Sequence, residues 1–286
     1  MTQVPLQFGS ARVVGQFLTL TLGRAIALMM LCGTGACVAV VAPITVPAVG
    51  SRYAMNETVH NAPLIVPEML DRFGLAIQAC PSAVTRTRIP KEYWHDHPRA
   101  AALPSVALSR QTLREYCARE DICDVQRVMT VTAWGVAREP NRKRIGKVLE
   151  PISTLLARAR DSGIPRSTAY DRFDQALIAG LGPAFFTKLI HFCVPPFNGY
   201  ILDQFTAKSF DILTDQQSSL CSKSGVVPRG RGGQRYEIFC RAIEMLADYR
   251  GLSAEQVELD MYAGRNHPWR LFVKKRWDEK YLISAR

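Results

Sequence analysis

The turn Gly180-Leu181-Gly182-Pro183, set between two helical stretches, constrains this chain more than any other feature. One reading is purely architectural: a glycine ends one helix and a proline opens the next. A second is chemical, because a Gly-x-Gly turn between helices presents bare backbone N–H groups, which suit contact with a phosphate. A short loop later the chain reads Ile201-Leu202-Asp203-Gln204-Phe205, with Asp203 standing 23 residues after Gly180. That carboxylate is placed to act on whatever the phosphate carries, although Asp is also a favoured helix N-cap in any protein.

From Met55 onward the periodicity is helical, with few period-two runs. Ser109 caps a helix through Leu113, Tyr116 and Cys117, and Asp124 caps another with Val125, Val128, Met129 and Thr132 on one face. Ile145, Val148, Leu149, Ile152, Leu155, Leu156 and Ala159 form an amphipathic stripe that Pro151 should kink or divide. Tyr236, Phe239, Cys240, Ile243 and Ala247 form a further stripe stopped by Gly251, and Ser253 with Gln256 has capping-box spacing. After the glycine turn, Phe185, Leu189 and Phe192 make one apolar row and Phe186, Ile190 and Cys193 the next. Ala184, Thr187, Lys188 and His191 make a polar row expected to face a groove or solvent. The expected fold is all-α.

The two ends of the chain differ. Residues 1–54 hold Arg12, Arg24 and Arg52 but no acidic residue, and Ala25 to Gly50 is uncharged and long enough to span a bilayer. The segment reads as a signal-like stretch, as a membrane span, or as sequence ahead of a true start at Met55. The expected division is therefore residues 1–54 as a hydrophobic segment and 55–286 as one helical domain. The net charge of +11 favours a polyanionic partner. Eight scattered cysteines without a Cys-x-x-Cys pair point to reduced thiols, and they exclude a tight cysteine cluster of the kind that holds an iron–sulfur centre. His95-Asp96-His97 has no second cluster at ligand spacing, so no metal site is expected there.

The segment from Asn141 to Phe210 resembles the helix-hairpin-helix superfamily of DNA glycosylases, closest to its 8-oxoguanine branch. The residues that carry the resemblance are Gly180-Leu181-Gly182-Pro183-Ala184-Phe185-Phe186-Thr187-Lys188, the downstream Leu202-Asp203, and Asn141-Arg142-Lys143-Arg144-Ile145. A bacterial group with the oxoguanine glycosylase fold is similar in the first two of these, the run from Gly180 to Lys188 and Leu202-Asp203. The resemblance implies a helix-hairpin-helix glycosylase fold with the hairpin at 179–184. It implies hydrolysis of the N-glycosidic bond of a modified base, an oxidised purine such as 8-oxoguanine. Where bifunctional members carry a catalytic Lys directly after the hairpin, this chain has Ala184. Either Lys188, one turn later, is an amine nucleophile with accompanying strand cleavage, or Asp203 acts alone on an oxocarbenium-like sugar.

By the same resemblance, DNA contacts fall to Gly180, Leu181, Gly182, Pro183, Thr187 and His191, with Arg229 and Arg231 adding backbone contacts from the basic loop 228–233. An extruded base needs aromatic walls, for which Trp134, Phe185 and Trp269 are candidates, with Tyr262 and Phe272 behind them. No cofactor is expected beyond a monovalent cation at the hairpin. DNA is the expected partner, with no obligatory protein partner and a monomeric chain. The expected location is the cytoplasm, at the nucleoid, and the membrane only if the N-terminal apolar run is a genuine span. A non-catalytic DNA-gripping protein and a membrane-tethered protein are the alternative readings.

Overall fold

The structure, a computed structural model, describes residues 65–79, 88–161, 163–194, 199–214 and 219–283. The expectations for residues 1–54 and for a start at Met55 lie outside the described residues. Within them all regular structure is helical and there is no strand: α1 Pro67–Ala79, α2 Pro90–Tyr93, α3 Arg110–Ala118, α4 Asp124–Trp134, α5 Glu139–Gly146 and α6 Leu149–Asp161, followed by α7 Arg166–Gln175, α8 Pro183–Cys193, α9 Gln204–Leu213, α10 Gly233–Arg250, α11 Ala254–Tyr262 and α12 Pro268–Asp278. Among the described residues, no helix is long and apolar enough to cross a membrane.

Local chemistry explains most of the boundaries. Ser109 and Ser253 each accept the amide three residues on, from Thr112 and Gln256, which satisfies a first-turn donor. Gly251 stops α10 in the left-handed conformation (φ 63°), where a Cβ would be penalised. Two boundaries differ from expectation. The cap of α4 is Cys123, boxed with Gln126, and Asp124 is the first helical residue. The long stripe divides between Gly146 and Leu149, ahead of Pro151, which falls in the first turn of α6 where its missing N–H costs nothing.

The central helix is α8, which packs against α3, α4, α6 and α7. Nearly all of its residues are buried, including the polar Thr187, Lys188 and His191. A column of rings fixes its neighbours: Tyr170 of α7 lies edge-on to Phe186 of α8 at 4.8 Å and stacks on Tyr236 of α10 at 4.8 Å, while Phe239 meets Phe210 of α9 at 5.7 Å. Ring pairs of this kind add to the burial of large apolar surface. They hold both helices of the glycine turn and the helix that follows Asp203 in one rigid body.

Candidate active site

Four loop segments and the start of α8 surround a cleft of about 1040 Å³. The turn between α7 and α8 forms one wall. The segment after α4 (Gly135, Val136, Arg138), the start of α9 with its cap (Asp203, Gln204, Phe205) and the 226–229 loop form the others. Arg88, Arg138, Lys188 and Arg229 line it against the single carboxylate of Asp203. The cleft is therefore cationic, with one negative group inside it.

The turn owes its shape to Gly180 (φ 86°), which lies so close to α5 that an added Cβ would stand 3.1 Å from the Asn141 carbonyl oxygen. Gly182 is different: it has ordinary backbone (φ −79°), an added Cβ would meet nothing within 4 Å, and it caps α8 without any side-chain acceptor for the first-turn amides. The positive end of the α8 dipole thus opens into the cleft uncapped.

Asp203 is the N-cap of α9. Its Oδ1 accepts from the Phe205 amide at 2.8 Å and the Thr206 amide at 3.2 Å, while its own N–H donates to Thr206 Oγ1 at 2.9 Å. Both capping amides go to one carboxylate oxygen, and the residue, only 8% exposed, still lines the cleft. Capping and lining are held by the same side chain.

Lys188 also lines the cleft, although the residue is 5% exposed. Its Nζ donates to the Ala184 carbonyl and stands 5.6 Å from the centroid of the Phe185 ring, a cation–π contact. Gly135 gives the stem room, since a Cβ there would lie 3.1 Å from Lys188 Cδ. Val136 beside it (φ 53°) and Leu177 on the turn (φ 49°) hold left-handed backbone without being glycine, a strained state for a β-branched residue above all.

The rest of the expected polar row faces inward, contrary to its reading as a groove-facing strip. Thr187 is fully buried: its hydroxyl donates to the Pro183 carbonyl at 2.7 Å and accepts the Leu202 amide at 3.1 Å. It is a strut between the turn and the segment carrying Asp203, with no surface left for DNA. His191 is buried too. Its Nδ1–H donates to the Gly199 carbonyl at 2.7 Å, so its Nε2 accepts from Arg110 and Arg114, each at 2.9 Å. Burial and those guanidinium groups push its pKa well below the ordinary range, leaving a neutral imidazole. The 199–203 segment returns over this face of α8 and accounts for both corrections, with Arg110 and Arg114 of α3 completing the cover of His191.

Arg229 is likewise turned inward, donating to the carbonyls of Asp174, Ile178 and Leu181. Arg231, half-buried on the same loop, acts electrostatically on Asp211, whose carboxyl burial pushes up to about 7. Of the aromatic candidates, only Phe185 lines the cleft. Trp134 packs edge-on to Phe192 at 4.9 Å, and Trp269 lies between Phe73 and Phe272 with its Nε1–H donating to Ser209 Oγ at 3.1 Å. Both are core residues, where their large apolar area is worth most. His97 and Asp96 are structural: His97 caps a 3₁₀ turn at Pro98–Ala102 and Asp96 pairs with Arg142.

Sequence reading missed Phe205, which lines the cleft two residues after Asp203. The Arg270 guanidinium lies 3.4 Å from its ring centroid, and Tyr262 meets it edge-on at 5.7 Å. Its place beside the carboxylate was the available signal. Arg88 and Arg138 gave none, being single basic residues in irregular sequence.

The family model described as "Putative 8-oxoguanine DNA glycosylase OGG-like protein" matches residues 78–262, more than half of the chain and all of the cleft. No curated protein and no solved structure matches the chain.

Proposed function

This chain belongs to the OGG-like family so described, and on that premise we propose that it excises a modified base from DNA, an oxidised purine such as 8-oxoguanine, by hydrolysing the N-glycosidic bond. The observation that carries the reading is the convergence of an uncapped helix N-terminus and the carboxylate of Asp203 on one cationic cleft. The amides of the turn and the α8 dipole grip a strand phosphate. The extruded nucleotide enters the cleft, whose volume of about 1040 Å³ lies just above the ~300–1,000 Å³ usual for ligand sites. Phe185 and Phe205 offer ring faces for the base. Asp203 stabilises positive charge on the sugar as the bond breaks and orients water for attack. The test is an excision assay on duplexes that each carry one modified base, with alkali to reveal abasic sites. Release of an oxidised purine is expected, and no release from any duplex would overturn the reading.

Lys188 is assigned to binding rather than to covalent catalysis, because its Nζ is engaged at the Ala184 carbonyl. Borohydride trapping should therefore give no adduct, while Lys188→Gln keeps base release and weakens DNA affinity. A trapped adduct lost in that variant would make Lys188 the nucleophile.

The two glycines should separate. Gly182→Val lowers the thermal midpoint only slightly, because an added Cβ meets nothing within 4 Å among the described residues and only the N-cap preference is lost, but it lowers affinity for any duplex about tenfold by blocking approach of a phosphate. Gly180→Ala costs about 1–3 kcal/mol of stability, because of its positive φ and its contact with α5. Equal effects of the two changes on stability would remove the case for Gly182 as a contact. A protein that grips DNA without chemistry is the competing reading, and it draws on the fact that Asp203 is already a complete N-cap.

A further inference from the structure

The turn between α7 and α8 gathers the carbonyl oxygens of Asp174, Ile178 and Leu181 around one point. Converging carbonyl dipoles repel one another unless a positive charge sits among them, and the resemblance to the helix-hairpin-helix glycosylases implies a monovalent cation at this hairpin. Here that place is filled by the chain itself. Arg229 Nη1 donates to the Asp174 carbonyl at 3.1 Å, and Nη2 donates to the Ile178 carbonyl at 2.6 Å and also to that of Leu181. Two of the three oxygens have a second donor as well: the Leu177 amide on Asp174 O at 3.3 Å and the Leu181 amide on Ile178 O at 3.2 Å. The carbonyls do not fit a metal ion as they stand, because each already accepts the guanidinium and two of them accept an amide as well.

The guanidinium is held there by its own loop. The Gly230 amide donates to Asp174 Oδ2 at 2.7 Å and the Gly233 amide to Asp171 Oδ1 at 2.6 Å, which ties the chain directly after Arg229 to α7 at two points. Gly233 approaches α7 so closely that a Cβ would stand 2.0 Å from the Ser167 carbonyl oxygen, a contact only glycine allows. The loop is thus built to deliver one planar, permanently charged fork to three carbonyls.

We propose that Arg229 is the resident cation of this hairpin, replacing a monovalent metal ion, so that the turn keeps its shape whatever ion is in solution. The role is one of positioning, and it rests on the reading of the turn as a phosphate grip only where DNA affinity is concerned. The experiment compares potassium with tetramethylammonium at equal ionic strength and reads the thermal midpoint without DNA, then affinity for an undamaged duplex. The wild-type chain should give the same midpoint in both salts and affinities within twofold. Arg229→Ala should melt at least about 5 °C lower in tetramethylammonium, and potassium or millimolar methylguanidinium should restore most of that loss. A wild-type midpoint that depends on potassium overturns the proposal. So does an Arg229→Ala variant that is undamaged, or one that is damaged and rescued by neither ion. If that variant does not fold, Arg229→Lys keeps a cation at the carbonyls and should fold and remain insensitive to the salt; an unfolded or potassium-dependent Arg229→Lys overturns it equally. The DNA-free arm stands even if the chain proves not to bind DNA, so failure of the functional reading is seen separately.

Discussion

Asp203→Asn should lower the rate of base release at least ~10²–10³-fold while affinity for the damaged duplex holds or rises. The substitution is informative because asparagine caps a helix as well as aspartate does. The two amides that Asp203 Oδ1 accepts, from Phe205 and Thr206, can be accepted equally by an amide oxygen. Folding and cleft shape are kept, and what disappears is a negative charge facing a sugar that becomes positive as its bond to the base breaks. Removing like-signed repulsion toward the phosphates is the reason affinity does not fall. Single-turnover release and equilibrium binding, measured on the same duplex, check the two halves separately. Release at the native rate by a folded variant would reduce Asp203 to its capping role and end the catalytic assignment.

Arg110→Met should destabilise the protein by about 3–5 kcal/mol, the cost of leaving a buried charge without its partner. Arg110 pairs with Glu258, whose side chain is 2% exposed, and with Glu255 at 2.6 Å, and it donates to His191 Nε2. Burial already pushes the Glu258 carboxyl above its ordinary value of 4.5, with Arg110 holding it down. Without Arg110 that upward shift grows. The folded state then binds a proton that the unfolded chain has released, so stability declines as pH rises from 4.5 through the raised folded value. The loss should accordingly be smaller at pH 5 than at pH 8, as read by denaturant midpoints at both. Arg110→Met combined with Glu258→Gln should recover much of it, as expected for two groups in one network. A pH-independent loss, or no recovery in the double variant, would show that Arg110 acts through packing alone.

What was legible in the sequence is what local chemistry decides. Ser109, Ser253 and Gly251 mark helix ends because a capping oxygen or a missing Cβ acts within one turn. The glycine turn and Asp203 were legible as a pair, and both line the same cleft. Inward orientation was not legible where distant chain supplies the cover. Thr187 and His191 sit on the polar face of an amphipathic pattern, and the return of residues 199–203, with Arg110 and Arg114 of α3 over His191, buries them. Arg229 lies in a glycine-rich basic loop that reads as solvated, yet its three acceptors lie 48 to 55 residues earlier. For Trp134 and Trp269, nothing in the sequence separates a ring that lines a cleft from one that fills a core.

The Thr187 hydroxyl joins the Pro183 carbonyl to the Leu202 amide, and so sets the gap between the turn and the carboxylate independently of how many residues separate them. Residues added between Cys193 and Gly199 would lengthen the connection without shifting Asp203. Kin of this chain are then free to drift away from the 23-residue interval while keeping the alignment of grip and carboxylate. One that exchanged the hydroxyl for a methyl would keep the interval and lose the alignment.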